Sequence, residues 1–143
     1  MVAQNGDKTG ALAVKIFYSS KSSRRLGKLH QLVLRFVFGV ELPPETTVGK
    51  GLDLPHGARG LVVHQGAVLG DYVTLHHNVT IGTRRPGGEA PTLGNNVSVG
   101  SGAAVLGSIY VGDGASIGSN SVVLIDVPAG GVAVGNPARV IRK

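Results

Sequence analysis

The sequence predicts an all-β solenoid, a parallel β-helix with a short helical cap at its N-terminus. Three observations predict this fold. Aliphatic residues recur at a spacing of six through the body of the chain. Glycine accounts for 23 of the 143 residues without any Gly-X-Y period, while the aromatic residues number only three Tyr and three Phe. The first forty residues instead carry apolar side chains at helical spacing, so a helical segment precedes the repetitive β structure.

The six-residue period is unbroken from Leu93 to Val123 and extends upstream. Its aliphatic positions are Leu93, Val99, Val105, Val111, Ile117 and Val123, preceded by Val63, Leu69, Leu75 and Ile81 and, earlier still, by Leu42, Val48 and Leu54. A period of six excludes an α-helix and is too short and regular for the strands of a sandwich. Three such units make one triangular coil of about 18 residues, so the chain has room for about five coils.

Two breaks interrupt this period. Nine residues instead of six separate Leu54 from Val63, and the polar segment 83–90 precedes Leu93. Interruptions of a solenoid usually become loops on one face, where binding residues tend to gather. We therefore expect functional side chains at both breaks.

The segment from Lys15 to Val40 predicts one or two amphipathic helices. Its apolar stripe consists of Leu26, Leu29, Leu32, Val33, Phe36 and Val37. One interpretation is a cap that covers the open end of the β-helix, since exposed strand edges promote aggregation. The other is a basic amphipathic segment that makes weak contact with a membrane surface. We place the cap at residues 1–40 and the β-helix domain at residues 41–143.

The composition excludes several classes of function. The chain has no Cys, so it has no disulfide framework, iron–sulfur cluster or thiol nucleophile. Its net charge of +6 comes from the two ends, because residues 51–138 hold three basic and five acidic side chains. This distribution, with so few aromatic residues, argues against a nucleic-acid partner. The sequence also has no phosphate-binding Gly-rich motif and no Gly-x-Ser-x-Gly elbow.

No targeting segment is visible in the printed sequence. Lys15 splits the one candidate for the apolar region of a signal peptide, and Arg35 interrupts the longest apolar run. That run is far shorter than the roughly 20 residues of a membrane span. We therefore expect a cytoplasmic location.

Several motifs together resemble the left-handed β-helix acyltransferases of the hexapeptide-repeat family. The resemblance is to the serine acetyltransferase-like branch, which includes acetyltransferases of bacterial exopolysaccharide synthesis. It runs from Phe38 to the C-terminus, and the left-handed sense comes from it alone. The motifs are Phe38-Gly39-Val40-Glu41, Thr47-Val48-Gly49-Lys50-Gly51, Leu54-Pro55-His56-Gly57, Val79-Thr80-Ile81-Gly82, Val99-Gly100-Ser101-Gly102-Ala103 and Gly135-Asn136-Pro137-Ala138-Arg139.

The resemblance implies a homotrimer that transfers an acetyl group from acetyl-CoA to a hydroxyl, without a metal. His56 matches the family's catalytic His, and imidazole is the side chain suited to deprotonate a hydroxyl at neutral pH. Glu41 matches the carboxylate that pairs with this His, although the family usually has Asp there; such a partner fixes the imidazole tautomer. His77 is an alternative base and a candidate contact with the acceptor. An arrangement with no catalytic His also stays open.

The same resemblance implies that acetyl-CoA lies in a groove between neighbouring β-helices. The positions carried over for its binding are Gly82, Thr83, Gly102, Ala103 and Ser119, with Arg139 or Lys143 near the adenosine phosphates.

The acceptor is predicted from departures from the serine-binding pattern. Pro55 stands where those enzymes have an Asp before the catalytic His, and the Glu89-Ala90 stretch replaces an Arg-His pair. We therefore expect a sugar or polysaccharide-precursor hydroxyl, held by Arg84, Arg85 and Glu89. A minimal serine O-acetyltransferase and a non-catalytic scaffold are the alternatives.

A zinc enzyme resembling the γ-class carbonic anhydrases is a further alternative on the same scaffold. Such a site needs three converging His ligands. Of the five His, none lies after position 77, whereas that family places two ligands several coils beyond the first. The spacing does not suit it.

Overall fold

The structure is a computed structural model that describes residues 8–22 and 27–142. Two helices, α1 (Lys8–Ser22) and α2 (Gly27–Val33), come first, and α2 continues into a π-helical turn, Leu34–Phe38. Thirteen short strands follow in these residues. They are β1 (Thr47–Val48), β2 (Val62–Val63), β3 (Val68–Leu69), β4 (Thr74–Leu75), β5 (Thr80–Gly82), β6 (Thr92–Leu93), β7 (Ser98–Val99), β8 (Ala104–Leu106), β9 (Tyr110–Val111), β10 (Ser116–Ile117), β11 (Val122–Val123), β12 (Val132–Gly135) and β13 (Ala138–Arg142).

The strands form the three parallel sheets of a triangular β-helix. Face A contains β2, β5, β8 and β11, face B contains β1, β3, β6 and β9, and face C contains β4, β7, β10 and β12. One isolated parallel bridge extends each face, through Glu41 on face A, Val127 on face B and Asp53 on face C. The described residues thus form four rungs of strand per face, and five if the bridges are counted.

The pairing register confirms the predicted coil length. On face A, Val62 pairs with Thr80, 18 residues later. The first break adds three residues, so Thr47 pairs with Val68, 21 residues on. The second adds six, so Val68 pairs with Thr92, 24 residues on. Both breaks are therefore insertions at edges of the prism, and the coils on either side remain in register.

The aliphatic side chains of the period point inward. Those from Val63 to Val123 are at most 4% exposed, whereas Val48 in the first coil is only half-buried. Between faces, the chain turns through residues with positive φ. Asn78, Asn96 and Asn120 have φ of 56°, 55° and 57°, values that Asn tolerates better than most residues.

The C-terminus departs from the repeat. After β12 the chain reverses through Asn136-Pro137, and β13 pairs with β12 in the antiparallel sense. The last coil thereby ends in a hairpin that covers one edge of face C, which the sequence period did not predict.

The helices pack on the first coil at the opposite end. The Tyr18 hydroxyl donates to the Gly49 carbonyl, and the Lys21 ammonium donates to the Thr46 carbonyl at 2.7 Å. The Gln31 amide donates to the Leu42 carbonyl at 3.0 Å. Hydrogen bonds to backbone carbonyls therefore fix both helices to the β-helix.

The predicted apolar stripe is not the face that packs. Leu29, Leu32, Phe36 and Val37 are all more than half exposed, Val33 is half-buried, and Leu26 lies outside the described residues. The buried side chains are instead Ala13, Phe17, Leu34 and Phe38. The π-helical turn brings the last two onto the side that meets α1 and the first coil. Neither α1 nor α2 is long and apolar enough to cross a membrane.

Two neighbouring valines of β2 give a matched test of this packing. Val63 is 1% exposed inside the prism, whereas Val62 is 41% exposed on face A. We expect Val63→Ala to lower the free energy of unfolding by about 2 kcal/mol, because it removes two buried methyl groups and leaves a cavity. Val62→Ala should change it by less than about 0.5 kcal/mol. Denaturant titration measures both, and equal losses would contradict the assigned faces.

Tyr18 predicts a pH dependence of stability. Burial raises the pKa of Tyr18 above its ordinary value of 10.0. The unfolded chain therefore ionises first, so the stabilisation is complete below pH 10 and is lost as the pH rises above it. We expect Tyr18→Phe to cost about 1 kcal/mol at neutral pH, from the lost hydrogen bond, and to flatten the decline above pH 10. Denaturant titrations of the unmodified chain and of both variants across this range test the prediction, with Tyr110→Phe as the control. The prediction is refuted if the stability of Tyr18→Phe declines above pH 10 in parallel with that of the unmodified chain.

Candidate active site

His56 lies on the three-residue insertion, in a tight 3-10 turn formed by Pro55–Ala58. Its φ is 57°, and Ala58 has φ of 45°, left-handed values that cost non-glycine residues about 1–3 kcal/mol each. The turn packs against α1, with Thr9 beside Gly57. Just after the turn, the Gly60 amide donates to the Gly39 carbonyl at 2.8 Å. His56 is exposed to solvent, and the backbone of its turn is held on both sides.

The same edge of the prism, between faces C and A, carries four of the residues predicted to bind substrate or acetyl-CoA, namely His77, Gly102, Ala103 and Ser119. We call it the C–A edge. The Gly102 amide donates to the His77 carbonyl at 3.0 Å, and the Ser101 and Ser119 hydroxyls lie 3.3 Å apart. Since neighbouring rungs are about 4.8 Å apart, the edge runs about 14 Å from the His56 turn to Ser119.

Ala103 and Arg139, two predicted acetyl-CoA contacts, differ in what they leave available to a ligand. Ala103 is fully buried; its amide donates to the Gly100 carbonyl and its carbonyl accepts from the Thr80 amide. Arg139 is exposed on β13, where its guanidinium donates to the Ala138 carbonyl at 3.0 Å. Lys143 lies outside the described residues.

Glu41 lies on face A with an exposed side chain. Its backbone is paired with β2, since its amide donates to the Leu61 carbonyl and its carbonyl accepts from the Val63 amide, both at 2.8 Å. The side chain borders a groove of about 270 Å³ that also includes His64 and Gly82. Within the described residues, no hydrogen bond or ion pair joins Glu41 to His56. Glu41 and His56 thus lie on face A and at its C–A edge, but the predicted pair is not formed within a single chain.

The segment 83–90 forms the edge between faces A and B, the A–B edge, and is bound to the β-helix. The Arg84 guanidinium donates to the Leu124 carbonyl and passes over Gly107, where a Cβ would come within 2.9 Å of its side chain. The Glu89 carboxylate accepts from the Ser108 hydroxyl at 2.6 Å. Arg85 is exposed, and its side chain makes no hydrogen bond or ion pair to any described residue. Two of the three loop residues predicted to hold the acceptor thus anchor the loop.

Gly82 and Thr83 begin this loop rather than lying beside His56. Gly82 accepts a hydrogen bond from the Gly107 amide at 2.9 Å and ends β5. The predicted site residues are therefore divided between the C–A and A–B edges, on opposite borders of face A.

A side-chain ladder on the third edge was not anticipated from the sequence. The amides of Lys50, Asp71 and Asn95 donate to the side chains of Asp71, Asn95 and Asp113, at 3.0, 2.8 and 2.7 Å. The accepting side chains, Asp71, Asn95 and Asp113, are one coil apart when the loop insertion is counted. This spacing was the signal in the sequence that could have revealed them. They hold turns together and show that part of the acidic content has a structural use.

The described residues contain no group of three or more His, Asp or Glu side chains that could hold a metal ion. The zinc alternative therefore gains no supporting geometry from this part of the chain.

The two neighbouring arginines of the loop allow a direct test of the anchoring. We expect Arg84→Ala to speed amide exchange in residues 83–90 about fivefold, because the guanidinium no longer holds the loop to the Leu124 carbonyl. Arg85→Ala should leave exchange unchanged. Hydrogen-exchange mass spectrometry measures both, and equal acceleration in the two variants would show that Arg84 is not an anchor.

Comparison with known proteins places this site in context. Residues 90–124 match the family described as bacterial transferase hexapeptide (six repeats). Over 107 residues the chain is 50% identical to a probable serine acetyltransferase 5 of Oryza sativa subsp. japonica, covering 73% of this chain and 31% of the relative. It is 48% identical over 111 residues to a serine acetyltransferase of Helicobacter pylori, covering 76% of this chain and 64% of the relative.

Solved structures agree with these matches. Soybean serine acetyltransferase complexed with serine has a TM-score of 0.85 at 39% identity, covering 94% of this chain and 58% of that one. The Brucella abortus enzyme in complex with coenzyme A has a TM-score of 0.83 at 29% identity, covering 94% and 56%. The repeat and these neighbours imply a left-handed β-helix. The chain spans about a third of the plant relative and less than two thirds of the others. The chain thus carries the hexapeptide repeat of the bacterial transferases, and its similar proteins are serine acetyltransferases.

Proposed function

We propose that this protein transfers the acetyl group of acetyl-CoA to the hydroxyl of L-serine. The observation that carries the proposal is the structural likeness to soybean serine acetyltransferase with serine bound, which extends over 94% of this chain. The coenzyme A complex of the Brucella relative supports acetyl-CoA as the donor. The relatives described above do not support the sugar acceptor expected from the sequence, and they favour the serine alternative.

Two of the three loop side chains expected to hold a sugar have structural partners. The Glu89 carboxylate accepts a hydrogen bond from Ser108, and the Arg84 guanidinium donates one to the Leu124 carbonyl. Neither side chain can therefore bind an acceptor without leaving its partner. Arg85 has no such partner, and a guanidinium suits the carboxylate of serine. We assign Arg85 the role of holding that carboxylate.

His56 acts as the general base in this proposal. Its ring takes the proton of the serine hydroxyl as the hydroxyl oxygen attacks the thioester carbonyl carbon. The tetrahedral intermediate then collapses, the carbon–sulfur bond breaks, and the imidazolium returns the proton to the departing thiolate. The products are O-acetylserine and CoA. An exposed imidazole on a strained but fixed turn is consistent with this role, since such strain concentrates at functional sites.

A second subunit would complete the site. Glu41 and His56 are not bonded within one chain, and the predicted contacts lie on two edges that a single β-helix keeps apart. A homotrimer that packs these edges against one another would form a groove between subunits, with acetyl-CoA running along the C–A edge past Gly102 towards Ser119. Glu41 then stabilises the imidazolium, from the same chain after adjustment or from its neighbour.

The experiment is thiol release from acetyl-CoA, followed with a disulfide dye. The chain has no Cys, so the protein itself gives no background signal. We expect L-serine to drive release and a panel of sugars and nucleotide sugars to give none. His56→Ala should lower kcat at least about 100-fold, because the hydroxyl loses its base.

His77→Ala is the matched control, since His77 is exposed on the same edge one coil away. It should retain kcat within a few-fold. Loss of activity in the His77 variant alone would transfer the role of base to that residue. Release driven by a sugar would restore the sugar acceptor, and no binding of acetyl-CoA in a thermal-shift assay would favour the scaffold.

A further inference from the structure

The outer side of α2 and of the π-helical turn leaves a row of apolar side chains uncovered. Leu29, Leu32, Phe36 and Val37 are 56%, 52%, 77% and 57% exposed. Leu29, Leu32 and Phe36 follow one another at helical spacing, so they lie along one line of the surface. We call these four residues the apolar stripe. Phe36 has the highest exposed fraction of the large apolar side chains in the described residues, and the packing of this chain gives it no role.

The charges on the helical segment that carries the apolar stripe are all of one sign. The charged side chains in the described part of residues 8–40 are five cations: Lys8, Lys15, Lys21, Lys28 and Arg35. Lys28 and Arg35 immediately precede Leu29 and Phe36. With Leu32 they line one wall of a groove of about 1040 Å³ between the helices and the first coil. Glu41 and Glu45 also line this groove, yet no ion pair joins them to Lys28 or Arg35 in the part of the chain described.

The exposed apolar side chains and the neighbouring cations together distinguish between possible partners of the apolar stripe. A second copy of the chain, docked stripe to stripe, would bring two clusters of cations together and be opposed by their repulsion. A surface with anionic headgroups above an apolar layer accepts both features at once. Phe and Leu on one side with Lys and Arg beside them is the pattern of helices that lie in a membrane interface.

We propose that α2 and the π-helical turn bind the protein peripherally to anionic lipid bilayers. Phe36 and Leu29 enter the boundary between headgroups and acyl chains, while Lys28 and Arg35 meet the lipid phosphates. The cap thus has two sides, one packed on the first coil through Leu34 and Phe38 and one facing a membrane. This proposal concerns membrane binding and does not depend on the proposed acetyl transfer.

Vesicle flotation with the full chain tests the proposal. We expect the protein to float with vesicles of mixed phosphatidylcholine and phosphatidylglycerol, to stay unbound with phosphatidylcholine alone, and to be released by high salt. Leu29→Ser combined with Phe36→Ser should weaken binding at least about tenfold, since two inserting side chains are lost. Lys28→Gln with Arg35→Gln should weaken it through the headgroup contact.

Ile141→Ser is the matched control, because Ile141 is 66% exposed on β13 at the other end of the prism. It should bind vesicles as the unmodified chain does, and circular dichroism checks that each variant is folded. The proposal is overturned if the anionic vesicles capture no protein, if the double serine variant binds as well as the control, or if sedimentation shows that the apolar stripe instead drives self-association. None of these readouts uses acetyl transfer, so failure here leaves the proposed function untouched.

Discussion

The stacking of aliphatic side chains inside the prism is the constraint on which the rest of this structure depends. Each coil places one inward residue per face directly above that of the coil below, and parallel backbone pairing keeps the rungs about 4.8 Å apart. An edge residue is therefore positioned by the coil beneath it, as the hydrogen bond from Gly102 to His77 shows. Groups distant in sequence consequently line one edge without any dedicated packing of their own.

His56 and Arg85, the side chains proposed to act as base and to bind the acceptor, lie where this regularity is interrupted. Three extra residues create the turn that carries His56, and the coils above and below absorb them without losing register. Six extra residues create the segment 83–90, whose Arg84 and Glu89 fasten it to the next coils. A solenoid tolerates such insertions because each coil contacts only its neighbours. The core supplies rigidity, and the insertions supply His56 and Arg85, two side chains to which the proposed function assigns roles.

The acceptor illustrates how side-chain identity and backbone likeness can point in different directions. Pro55 and the Glu89-Ala90 stretch depart from the serine-binding pattern, and this favoured a sugar. The likeness to serine-bound soybean enzyme over 94% of the chain favours serine instead. Glu89 also has a structural role, because its carboxylate accepts a hydrogen bond from Ser108, which lies 19 residues further along the chain.

The sequence by itself determined the coil. The six-residue period predicts parallel strands, inward aliphatics and two insertions, because a repeated unit meets the same environment at every turn. The hairpin of β13, the anchoring of Arg84 and the exposed apolar stripe could not be predicted in this way. Each depends on which partner lies opposite, and that is set by contacts between distant residues. Leu34 and Phe38 pack inward while Phe36 remains outside because the first coil and α1 together select the buried side of the cap, a choice that helical periodicity does not contain.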